Sequence, residues 1–211
     1  MLIRQFLGAI ALAATAQSTV IATTPETTNQ TKPLKVLLLT ALPASGKSEV
    51  RRYLSTLQAQ ECREQFGIGA TVQIDDFPYV HMMRRFSDEL TKRGQPGAFF
   101  LSPAFSFRDA REWGTLMYLI NQDYSNIVSH TKSQTTTTAA QWIFDRFDAA
   151  RAKAGMGPVF KKLPKKLHAQ IAAAVETDAT KLLKNLNKEI DKAADLSDKT
   201  IVIEFSRGGA D

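Results

Sequence analysis

Gly46, Lys47 and Ser48 stand consecutively at the end of the stretch Ala41, Leu42, Pro43, Ala44, Ser45, Gly46, Lys47, Ser48. Residues of these types in this order suit a polyphosphate. A tight loop capping a helix gathers backbone N–H groups on the phosphate oxygens, and the positive end of the helix dipole adds to them. Gly46 lets the main chain come close, Lys47 reaches the outer phosphates, and the Ser48 hydroxyl is suited to magnesium. Ala41 stands where the usual motif begins with glycine, which removes one source of looseness. Two further clusters carry chemistry. Asp75 and Asp76 follow the apolar run 71–74, and one of them is suited to orient an acceptor hydroxyl or take its proton while the other holds metal-bound water. Alternatively, the pair caps the segment that follows, since Asp favours turns and helix N-termini. Glu204 follows the run 200–203, with Arg207 and two glycines behind it. That pattern suits metal-bound water from Glu204 and a phosphate contact from Arg207, or else a surface Glu–Arg pair.

These side chains need elements to position them. Residues 35–40 are a short, nearly continuous apolar run, the pattern of a strand buried on both faces of a parallel sheet. Behind the loop, Val50, Tyr53, Leu54 and Leu57 recur at helical spacing, so the order is strand, loop, helix, as a phosphate-binding loop requires. Runs 71–74 and 200–203 read as the second and third strands, each ending in acids at the sheet edge where open α/β folds bind ligands. More than a hundred residues separate them, too many for a simple crossover, which predicts a mainly helical insertion over about 79–199. Within it 139–152 and 179–194 read as helices, the latter with Leu182, Leu183, Leu186 and Ile190 on one face, while 135–138 and 155–158 read as loops. Arg84 and Arg85 are suited to clamp an anionic substrate or to line a solvated helix face. The cluster Lys161, Lys162, Lys165 and Lys166 around Pro164 is suited to contact phosphate or RNA, but without an aromatic stacking platform it reads rather as a solvated loop.

A chain of 211 residues, 44% hydrophobic and 23% charged, is neither disordered nor polytopic. Its net charge of +6 is spread along the sequence and suits an anionic ligand as readily as nucleic acid, so charge alone does not choose between them. One cysteine, Cys62, excludes an internal disulfide framework and a cysteine-rich zinc site, and the three histidines are scattered. Residues 1–16 have the outline of a signal peptide, with Arg4 ahead of the uncharged run 6–16, which is too short to span a bilayer. A misassigned translation start is the alternative. The polar stretch 17–34 reads as a linker.

The strand, the ALPASGKS loop, the acidic end of QIDDFPY and the strand IVIEFSRGG together resemble the core of P-loop kinases of small molecules, the adenylate-kinase-like and uridine-kinase-like nucleoside and nucleotide kinases. The resemblance covers about 35–78 and 200–209, and implies an α/β, three-layer P-loop NTPase core around a parallel sheet. It implies transfer of the ATP γ-phosphate, with magnesium, to a small molecule, a nucleoside or nucleotide by analogy. Residues 41–48 would bind ATP, Ser48 and Glu204 the metal, and Lys47, Asp75 or Asp76, and Arg207 would serve the transfer. The kinases it resembles continue past the third strand into two more strands and an arginine-bearing lid, so this chain is expected to be a fragment of a longer reading frame. Two other readings stay open: a nucleotide-binding protein without transferase activity, and an exported protein in which the loop is incidental. ATP chemistry points to the cytoplasm, a cleaved residue 1–16 segment to export. No nucleic acid and no stable membrane span are expected.

Overall fold

The segments Val36–Ala41 (β1), Ala70–Asp75 (β2) and Lys199–Ser206 (β3) are short, rich in β-branched and aliphatic residues, and free of proline. In the computed structural model of the chain, which describes residues 32–42, 45–101, 106–135 and 137–206, they form one parallel sheet in the order β1-β3-β2. The expectations for the apolar segment 1–16, most of the linker 17–34, Pro43, Ala44 and Arg207 with its glycines lie outside the described residues.

Parallel pairing puts the three carboxyl ends at one edge. Leu39 is the register partner of Glu204, and Glu204 in turn is the partner of Asp75. Close approach at the opposite edge depends on Gly69, where any Cβ would collide with the Asp198 carbonyl. Its N–H donates to Thr200 Oγ1 at 3.0 Å, and Thr200 donates on to the Leu34 carbonyl at 2.6 Å, tying all three strand starts together.

Six helices surround the sheet among the described residues: Lys47–Thr56 (α1), Ala59–Phe66 (α2), Phe77–Thr91 (α3), Glu112–Val128 (α4), Ala139–Lys153 (α5) and Lys165–Lys192 (α6). On one face, Leu37 of β1 packs with Leu54, Cys62 and Ile68 beside α1 and α2. On the other, Val72, Ile74 and Ile201 join the large core of α3 to α6. That core is built on aromatic rings. Phe86 lies against Phe99, Phe144, Phe147 and Phe160 at centroid distances of 6.1, 5.6, 5.4 and 4.7 Å, mostly edge to face.

The fold is therefore α/β, with a small parallel sheet and a helical insertion between β2 and β3. Three local expectations need correction. β1 is not buried on both faces: it pairs only with β3 among the described strands, and Val36 and Leu38 are 42% and 57% exposed. The helical layer covers β2 and β3 on that face and stops short of the edge strand, so an apolar run that reads as interior lies at the margin. The helix read over 179–194 is the second half of α6, which starts at Lys165 because Pro164 supplies a fixed φ ahead of the first turn. Lys161 and Lys162 stand on a short 3₁₀ turn and Lys165 and Lys166 on the first turn of α6, so the cluster is exposed but not a loop.

Candidate functional site

The loop after β1 delivers the start of α1. Gly46 is the N-cap residue, with φ 90° and ψ 10°, a left-handed conformation that side chains disfavour. Among the described residues nothing lies within 4 Å of where its Cβ would stand, so the backbone angle is what calls for glycine here. The Gly46 carbonyl accepts from the Glu49 and Val50 N–H groups at 3.0 and 3.1 Å, which opens the helix at this point.

Lys47 is 8% exposed, and its ammonium donates to the carbonyls of Ala41 and Leu42 at 3.0 and 2.9 Å. The cation is thus held across the loop by main-chain oxygens, and no carboxylate neutralises it among the described residues. Ser48 donates from Oγ to Glu204 Oε1 at 3.2 Å, across 156 residues of sequence.

Glu204 is 6% exposed, with Oε2 fully shielded and accepting no hydrogen bond among the described residues. Arg51 Nη1 lies 3.3 Å from that oxygen and 3.1 Å from Asp75 Oδ2, so one guanidinium lies between the two strand-end carboxylates. Burying an unpaired carboxylate is costly, and Arg51 offsets that cost at both acids. Asp75 uses its other oxygen, Oδ1, to accept from the Phe77 N–H at 2.9 Å, a short turn at the entry to α3. Two of the roughly four acceptor positions of its carboxylate are used in this way.

The two aspartates part company here. Asp75 borders a cavity of about 300 Å³ between the end of β2 and α6. Asp76 is 1% exposed, is the N-cap residue of α3 and does not line the cavity. The side-chain hydrogen bond to the start of α3 and the cavity border therefore both fall to Asp75, while Asp76 opens the helix through its main-chain carbonyl, which accepts from the Tyr79 and Val80 N–H groups at 3.0 and 3.1 Å. The cavity floor is a buried network: Tyr79 donates to Asp123 Oδ2 at 2.6 Å, and Arg146 donates to Asp123 Oδ1 at 2.7 Å and to the Tyr79 oxygen at 2.9 Å. Burial pushes the Tyr79 phenol well above its ordinary range, with Asp123 adding to the rise. The Asp123 carboxyl is also raised by burial, against the pull of Arg146.

Of the described residues read as a site, Lys47, Ser48, Asp75 and Glu204 lie at one sheet edge, whereas Asp76 is buried and does not line the cavity. Arg84 and Arg85 are elsewhere. Arg84 lies 4.2 Å over the Phe100 ring, and Arg85 holds Asp178, the Ala174 carbonyl and Glu89, so it joins α3 to α6. Arg51 is the residue that sequence reading passed over. It stands three positions after Ser48 on α1, which places both on one helix face, and that spacing was the available signal.

Among the described residues no group of three His, Cys, Asp or Glu side chains could hold a metal ion. The shielded Glu204 oxygen and the Ser48 hydroxyl are nonetheless hard oxygen donors of the kind magnesium takes beside phosphates, with the remaining positions left to phosphate and water. No helix of the described residues is long and apolar enough to cross a membrane. No protein-family model matches this chain, and no curated protein or solved structure matches it.

Proposed function

We propose that this chain binds ATP with magnesium on the loop 41–48 and transfers the γ-phosphate to a hydroxyl of a small molecule held in the cavity beside Asp75. The observation that carries this reading is the meeting of Lys47, Ser48, Glu204 and Asp75 at one sheet edge, with a cavity bordered by the last of them. In it, Lys47 turns from the loop carbonyls to the phosphate oxygens, and the N–H groups at the start of α1 bind the same anion. Ser48 and Glu204 would hold magnesium, which supplies neutralisation of phosphate charge. Asp75 orients the acceptor hydroxyl through its unused acceptor positions and takes its proton as the oxygen bonds to the γ-phosphorus. The bond from that phosphorus to the bridging oxygen breaks, and ADP carries away the electron pair.

Arg51 favours a second reading. Its guanidinium already engages both carboxylates, as in a protein that holds a nucleotide without transferring phosphate. Thermal unfolding with and without MgATP, for the chain and for Lys47→Ala, comes first. A ligand confined to the folded state adds about 2.7 kcal/mol at a hundred times its dissociation constant, so a real site is visible. Protection lost in the variant supports the nucleotide site; no protection of a folded parent overturns it. Transfer of label from γ-labelled ATP to a hydroxyl compound then separates the kinase from the binding protein.

A further inference from the structure

The cavity beside Asp75 has a lining that narrows the class of acceptor. At about 300 Å³ it is at the small end of ligand cavities. Its apolar side is aliphatic, from Ile74, Leu182 and Leu186. The one aromatic residue among the described residues lining it, Tyr79, is only 2% exposed, has its hydroxyl committed to Asp123 and meets Phe147 edge to face at 6.1 Å. No ring face is thus offered to a nucleobase, whose recognition commonly rests on stacking.

The charges of the lining decide the rest. Its three carboxylates each have a cation: Asp75 has Arg51 at 3.1 Å, Asp123 has Arg146 at 2.7 Å, and Glu189 has Lys192 at 2.6 Å while also accepting from the Gln73 N–H at 2.9 Å. On the α6 side, Asn185 and Lys188 are exposed, three positions apart, and engaged in no ion pair or side-chain hydrogen bond among the described residues. Lys181 and Lys184 continue the same helical stripe without an intervening acid, which adds positive potential at the cavity mouth. Donors without acceptors therefore face a cavity whose acids each already have a cation in contact, Asp75 sharing Arg51 with Glu204.

We infer that this cavity takes a small, non-aromatic hydroxyl compound bearing an anionic group, phosphate or carboxylate, with the anion on Lys188 and Asn185. The inference rests on the kinase reading only in making that compound the phosphate acceptor, and it departs from the nucleoside that resemblance alone implies.

Binding to the full chain without nucleotide tests it, using ribose 5-phosphate, gluconate, ribose and uridine at millimolar concentration, followed by ligand-observed NMR. One or both anionic probes are expected to bind about tenfold or more tightly than ribose and uridine, and which of them binds separates phosphate from carboxylate. Lys188→Glu is expected to lose about tenfold, Lys188→Arg to retain most of the affinity, and Lys161→Glu, outside the cavity, to change little. Uridine binding as well as ribose 5-phosphate, failure of both anions to bind, or indifference to Lys188→Glu would each overturn the inference. Because ATP is absent, these results stand apart from those of the MgATP experiment: either can fail while the other holds.

Discussion

Asp75 and Glu204 are register partners on adjacent parallel strands, and Arg51 Nη1 lies 3.1 Å from one carboxylate and 3.3 Å from the other. Two acids side by side would repel, and the guanidinium between them offsets that repulsion at the sheet edge. Since Arg51 rides on the helix that begins with Lys47 and Ser48 and also borders the cavity, it links the loop after β1 to that cavity.

Removing that side chain exposes the coupling. Arg51→Ala is expected to destabilise the fold by about 1–3 kcal/mol, because it leaves the two carboxylates without their cation. Adding Glu204→Gln is expected to recover part of the loss, with a coupling of about 1 kcal/mol between the two sites in urea denaturation. Strict additivity would show that the pair is not energetically linked.

Gly46→Ala tests the loop backbone. Its φ of 90° predicts a loss of about 1–2 kcal/mol from strain, since the new methyl meets no described neighbour within 4 Å. Unchanged stability in chemical denaturation would mean that the loop adopts another conformation.

Glu89 sets a pH dependence remote from the site. Hydrogen bonds from Lys92 and Arg93 hold its carboxyl at about 2, below its ordinary 4.5. A folded-state value below the unfolded one means that the contribution is fully present above about pH 4.5 and is lost as pH falls through about 2. Glu89→Gln is expected to lower stability at neutral pH by on the order of 2 kcal/mol, allowing for the solvent around Lys92, and to flatten the acid limb of the stability curve. Parallel curves for parent and variant between pH 2 and 5 would refute this.

The aromatic core gives the largest expected loss. Phe86 is fully buried among four other phenylalanines, so Phe86→Ala is expected to cost about 3–5 kcal/mol and Phe86→Leu substantially less. Thermal unfolding checks both, and a loss below about 1 kcal/mol for Phe86→Ala would show that the cluster repacks around the gap.

What the sequence determined by itself was local. The strand runs, the helical spacing behind the loop, the glycine at the head of α1 and the helix over 139–152 follow from side-chain periodicity and backbone preference among near neighbours, and these survive any tertiary arrangement that uses them. The separation of Asp75 from Asp76 did not, because adjacent residues of one type differ only in which way each side chain leaves the end of β2. Nor was the position of β1 at the sheet margin legible: VLLLTA reads alike in the middle of a sheet and at its edge. The tertiary structure decided the strand order, the place of Arg51 between two acids and the cavity against α6. Each depends on contacts between residues far apart in sequence, 129 positions for Asp75 and Glu204 and 156 for Ser48 and Glu204, and packing of the whole insertion returns β3 to the sheet between β1 and β2.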